Sequence, residues 1–167
     1  MKQGQHDHAR IDDGSMKDMR VGNSHYLTLA LNLGLSLIIM YVAMFAMIWT
    51  LGEFFQNINY LYMALVMWAP MAIVMLLTMG SMYANKKLNL ILYAAFTLTL
   101  VLSYAAIRNQ SMVGDRQFLR SMIPHHSGAI LMCEQAKISD PEIKQLCDGI
   151  VAGQKAEIAQ MKALLNR

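Results

Sequence analysis

The apolar positions of this chain fall into three long blocks, Tyr26 to Leu51, Ile58 to Tyr83 and Leu88 to Ile107, and none of the three contains Asp, Glu, Lys, Arg or His. Each is about as long as the ~20 residues that cross the hydrocarbon core of a bilayer. A segment alone in lipid has to satisfy its own backbone groups, so the pattern predicts three transmembrane helices, over 26–51, 58–83 and 88–107. Ahead of them, residues 1–25 are polar, hold four acidic and four basic side chains together with Gly4, Gly14 and Gly22, and are expected to form a disordered or interfacial tail. Pro70, in the middle of the second block, is expected to kink that helix. Ala94, Ala95, Ala105 and Ala106 offer places for close helix approach in the third.

Beyond Ile107 the pattern turns amphipathic, and residues 108–167 read as a small polar domain. Phe118, Met122, His125, His126, Ala129, Met132 and Cys133 recur at three- and four-residue spacing, which on a helix collects Met122 to Cys133 within an arc of about 120°. Pro124 falls inside this pattern and either kinks the helix or marks its first turn. The helix is expected to end near Ile138. Ser139 or Asp140 then suits the cap of a second helix, Pro141 its first position, and Glu142 the positive end of its dipole. That helix runs to about Leu165 and presents Cys147, Ile150, Gln154, Ile158, Met161 and Leu165 on one face, with Glu157 at its border. With the two helices antiparallel about Asp140, facing positions have numbers that sum to about 280. Cys133 then lies level with Cys147, His126 with Gln154 and Met122 with Ile158. The fold class predicted is all-α: three transmembrane helices followed by a helical hairpin, half of a bundle that a second copy of the chain would complete.

Hydrophobic residues make up 56% of the 167 and charged ones only 15%, which excludes a soluble enzyme built round one large core. Net charge is +3, but the basic residues are dispersed and not interleaved with aromatic ones, so no nucleic-acid partner is expected. Lys2, Arg10, Lys17 and Arg20 precede the first span and Lys86 and Lys87 lie between the second and third, whereas the first connection, Gly52 to Asn57, has neither Lys nor Arg. This asymmetry predicts a multi-pass membrane protein with a cytoplasmic N-terminus and a C-terminal domain outside, although Arg108, Arg116 and Arg120 soften the bias. A cleaved signal peptide is not expected, because the first apolar block follows 25 polar residues and exceeds an ordinary h-region.

Methionine is the unusual residue, with sixteen in all. Met63, Met67, Met71, Met75 and Met79 repeat every four residues along the second span, a stripe that drifts about 40° per step and runs ~24 Å. Met40, Met44 and Met47 make a shorter row in the first. Thioethers are soft ligands suited to Cu(I), so the rows read either as a membrane path for that ion or as flexible apolar packing, the simpler reading. In the C-terminal domain, Met122, His125, His126, Gln154, Glu157 and Met161 converge a few turns from the loop. Neutral imidazoles beside thioethers are what a copper site requires. Cys133 and Cys147 predict a disulfide across the hairpin, with a reduced pair of thiolate ligands as the alternative. His6 and His8 flank Asp7 in the tail, a spacing that reads first as a solvated segment and second as a weak metal site.

The stretch Asp115, Phe118, Met122-Ile123-Pro124-His125-His126 through Ala129, Ile130 and Met132, followed by Ile150, Gln154, Glu157-Ile158 and Met161, resembles the family called domain of unknown function 305. The resemblance covers about Asp115 to Leu165. It implies a ferritin-like, helical-bundle metal-binding domain akin to bacterial periplasmic copper-binding proteins of the CopM type, linked to copper tolerance. By position it implies Met122, His125, His126, Met132 and Met161 as ligands, with Gln154 and Glu157 supporting them. Cys133 and Cys147 stand where small residues are usual in that family.

The function expected is a copper-binding protein anchored in the bacterial inner membrane, holding Cu(I), or silver with the same ligand preferences, for periplasmic sequestration, tolerance or delivery to a partner protein. The alternatives are a copper-conducting transporter that uses the Met rows, and an accessory membrane subunit. No base, nucleophile or cofactor motif accompanies the candidate site, so an enzyme is not expected.

Overall fold

The computed structural model describes the backbone of residues 4–167 and the side chains from residue 24 onward. Among the described residues the chain is all-helical, with α1 (Gly4–Ala43), α2 (Ile58–Thr78), α3 (Lys86–Asn109), α4 (Asp115–Gln135) and α5 (Pro141–Leu165). Ser24–Ala43, Ile58–Thr78 and Lys86–Asn109 are long and apolar enough to cross a membrane, which makes this a membrane protein. The polar stretch before Ser24, expected as disordered or interfacial, continues α1 as helix from Gly4. The apolar span supplies the nucleus, and each residue added to an existing helix gains a hydrogen bond without a new nucleation cost. The His6 and His8 pair lies outside the residues whose side chains are described.

The first span ends at Ala43 and not at Leu51. Phe45 is the physical reason: it leaves the helical path and is 4% exposed, packed with ring centroids 5.6 Å from Tyr41, 4.1 Å from Phe54 and 4.9 Å from Tyr60. Burying one ring among three others outweighs the few helical hydrogen bonds given up, and tight turns such as Phe45 N–H to the Val42 carbonyl replace part of them. The row expected of Met40, Met44 and Met47 is therefore not helical, since the last two lie beyond the end of α1.

α2 occupies the middle of the membrane domain and keeps Pro70 inside it. The close approach anticipated at the third span's alanines is made instead by Ala64, Ala69 and Ala72 of α2, each 0% exposed, because α2 has a neighbour on both sides and has to let two backbones near. Trp68 fixes the arrangement, donating from Nε1 to the Leu33 carbonyl of α1 at 2.7 Å and standing edge-on to Phe96 of α3. At the other end of the spans His25 Nδ1 lies 3.1 Å from the Met82 carbonyl and the Tyr26 hydroxyl donates to Asn89 at 2.7 Å. The N-terminal side of the spans and the Lys86 turn thus share one end, and the hairpin lies at the other.

α4 and α5 form the expected antiparallel hairpin, with Asp140 capping α5 by accepting from the backbone N–H of Glu142 at 2.8 Å and of Ile143 at 3.2 Å, and with Pro141 as its first residue. Ile123, Ile130, Ile158, Met161 and Leu165 make its core. Phe55, from the connection between α1 and α2, packs on that core, and Ile123 and Ile130 are fully buried within a single chain.

Candidate metal centre

α4 does not keep its soft residues on the face that packs. Its buried residues are Ser121, Ile123, Pro124, Ser127, Gly128 and Ile130, while Phe118, His125 and Met132 are exposed. Its close neighbours outside the hairpin belong to α2 and to the connection before it. Gly128 abuts the backbone of Met47. Ser127, fully buried, accepts from the Trp49 backbone N–H at 2.6 Å and donates to Glu53 Oε2 at 2.5 Å. Glu53, 5% exposed, also accepts from the Thr50 N–H at 3.3 Å and faces Lys162 Nζ of α5 at 3.6 Å. Lys155 of α5 lies over the Trp49 ring and pairs with Glu134 at 2.9 Å. The first connection is thus the platform on which the hairpin sits. Neither Glu53 nor Ser127 was singled out from sequence, although Glu53 is the only charged residue between Ala43 and Ile58.

The two adjacent histidines have different surroundings, as their 100° separation on a helix requires. His126 is engaged at both nitrogens, Nδ1 lying 2.9 Å from the Met122 carbonyl and Nε2 2.8 Å from Glu157 Oε2. A metal at Nε2 has to compete with Glu157. His125, with its ring centroid 6.2 Å from that of His126, makes no hydrogen bond among the described residues and opens with Met122 into a cavity of about 260 Å³ where α4 meets the ends of α2 and α3. Asn59 and Met63 of α2 and Gln110 after α3 also line it.

A directed chain of hydrogen bonds borders that cavity. The Ser121 hydroxyl donates to the Phe118 carbonyl at 2.9 Å, so its oxygen accepts from Asn59 Nδ2 at 3.2 Å. Asn59 Nδ2 also donates to Gln110 Oε1 at 3.0 Å, while Gln110 Nε2 donates to the Ile107 carbonyl at 2.7 Å. Every donor in the chain points away from Asn59 Oδ1, which is buried without a partner among the described residues. Such an oxygen costs about 1–3 kcal/mol until a donor or a cation meets it.

Of the other residues singled out from sequence, Met161 is buried in the hairpin core and Met132 is 53% exposed; neither lines the cavity. Glu157 contacts His126, and Gln154 is half-buried on α5. Cys133 and Cys147 are joined in a disulfide with Cα atoms 5.3 Å apart. In the Met row of the second span, Met63, Met67 and Met79 are exposed, Met79 lying just past the end of α2, whereas Met71 and Met75 pack on the membrane core. Among the described residues no three His, Cys, Asp or Glu side chains converge on one point.

Residues 103–165 match the family described as Domain of unknown function (DUF305), so the match begins inside α3 and runs through the hairpin. An uncharacterized protein of Acanthamoeba polyphaga mimivirus is 35% identical over 119 residues, covering 70% of this chain and 76% of that relative. No solved structure matches the chain. The similarity to the viral protein reaches well beyond the hairpin into the membrane spans, and with the domain match it shows that this chain belongs to the DUF305 family.

Proposed function

We propose that the chain is a membrane-anchored copper-binding protein that holds Cu(I), with silver as its chemical equivalent, at the extracytoplasmic face of a bacterial inner membrane, for sequestration, tolerance or delivery. One observation carries this reading: Met122 and His125, almost one turn apart on α4, line the same cavity, and His125 is engaged by no hydrogen bond among the described residues. Thioether and imidazole suit Cu(I), and the absence of any carboxylate from the cavity wall disfavours a hard cation there. In this reading His126 positions α4, through Glu157, so that His125 meets the cavity. The disulfide supports an oxidising compartment for the hairpin, and Lys86 and Lys87 at the opposite end of the spans support a cytoplasmic location for that end.

The test is a titration of the full-length protein in detergent micelles with Cu(I), against a chromophoric Cu(I) chelator. One ion per chain is expected, with His125→Ala and Met122→Leu each weakening it at least tenfold, about 1.4 kcal/mol. A wild-type protein that takes no Cu(I) from the chelator overturns the proposal.

A further inference from the structure

Met122 and His125 both belong to the C-terminal domain. We infer that the ion is held across the seam between the two domains, with Met63 of the second span supplying a second thioether beside Met122 and His125; this rests on the Cu(I) reading and names the site that serves it. Three observations converge. Met63, Met122 and His125 line one cavity, although 59 residues separate Met63 from Met122 and the first belongs to a membrane helix. Two thioethers and an imidazole form a soft set of three, whereas α4 alone offers only two donors there. Asn59, one turn before Met63, lines the same cavity, and its Oδ1 is a buried acceptor without a partner among the described residues, while its own amide nitrogen donates to Ser121 and Gln110. An unsatisfied carbonyl oxygen turns the negative end of a dipole toward its surroundings and favours a cation beside it. No Lys or Arg lines the cavity to oppose that charge.

Methionine has three rotatable bonds, so Met63 and Met122 can each turn a sulfur toward an ion in the cavity they share. An ion so held ties the outer end of α2 to α4, and binding stabilises the docking of the hairpin on the membrane domain. It also sets the site at the membrane end of the hairpin, beside the outer end of the second span.

The full-length protein in micelles, titrated with Cu(I), decides the matter through Met63→Leu, Met122→Leu and Met67→Leu. Leucine keeps the volume and removes the sulfur. Met67, the next methionine of the row, is equally exposed and does not line the cavity. The expected result is at least a tenfold loss of affinity for Met63→Leu, comparable to Met122→Leu, with Met67→Leu binding as the wild type does. X-ray absorption at the copper edge should show two sulfur neighbours in the wild type and one in Met63→Leu. Wild-type affinity and two sulfurs retained in Met63→Leu, while Met122→Leu is impaired, would place the site wholly in the hairpin and overturn the inference but leave the copper reading standing. Absence of Cu(I) binding by the wild type defeats both.

Discussion

Replacing Ser127 by alanine tests whether the first connection holds the hairpin. The hydroxyl joins a part-buried backbone N–H to a buried carboxylate, accepting from Trp49 at 2.6 Å and donating to Glu53 Oε2 at 2.5 Å. Ser127→Ala leaves the Trp49 N–H without its acceptor and leaves Glu53 Oε2 with only the Thr50 N–H at 3.3 Å. A buried group that loses its partner costs about 1–3 kcal/mol. Trp49 is 37% exposed, so water can reach it in part, and Glu53 Oε2 keeps the Thr50 N–H, so the lower half of that range applies to each group. The sum is about 2–4 kcal/mol, which is ~30- to ~900-fold in a local opening equilibrium. Hydrogen–deuterium exchange of the full-length protein in micelles should therefore accelerate by that factor in the slowest amides of residues 44–57, with α2 and α3 peptides unchanged. Exchange over 44–57 that matches the wild type would refute the reasoning and show that aromatic packing around Phe45 alone holds the segment.

Gly128→Ala should leave thermal stability unchanged or raise it, because the new Cβ would meet Met47 at 3.6–3.7 Å, ordinary contact, while alanine gains ~1 kcal/mol of helix propensity; Gly128→Leu should lower stability by about 1–3 kcal/mol through crowding of that backbone, and a drop for alanine itself contradicts the geometry. Changing Cys133 and Cys147 together to serine opens a loop of sequence separation 14 and should cost ~3 kcal/mol on the chain-entropy model, read as faster proteolysis within α5; proteolysis at the wild-type rate would count against it. Glu157→Gln should cost less than ~1 kcal/mol, since the carboxylate is 56% exposed and its pairing with His126 is screened. A larger loss in thermal unfolding would mean that the pair is shielded from water.

Much of this protein is legible in the order of its residues. Length and the absence of charge mark the three spans, since lipid admits little else. The hairpin is written at Ser139, Asp140 and Pro141, where a cap and a first-turn proline act locally, and the antiparallel register that follows makes Cys133 and Cys147 level. The end of the first span was not legible. Hydropathy continues past Ala43 to Leu51, and only the aromatic partners contributed by Phe54 and Tyr60 take Phe45 off the helix. Nor could periodicity tell which side of α4 faces the core: it grouped Met122, His125, His126 and Met132, whereas the structure gives burial to Ile123, Ser127, Gly128 and Ile130. The reason is that α4 packs against the first connection and the ends of α2 and α3 as well as α5, so its buried surface is set by partners far away in sequence. The candidate centre shares this origin. His125 and Met122 could be picked out as donors because their spacing is local, but the approach of Met63 and the orphaned oxygen of Asn59 exist only where a membrane helix and the hairpin meet.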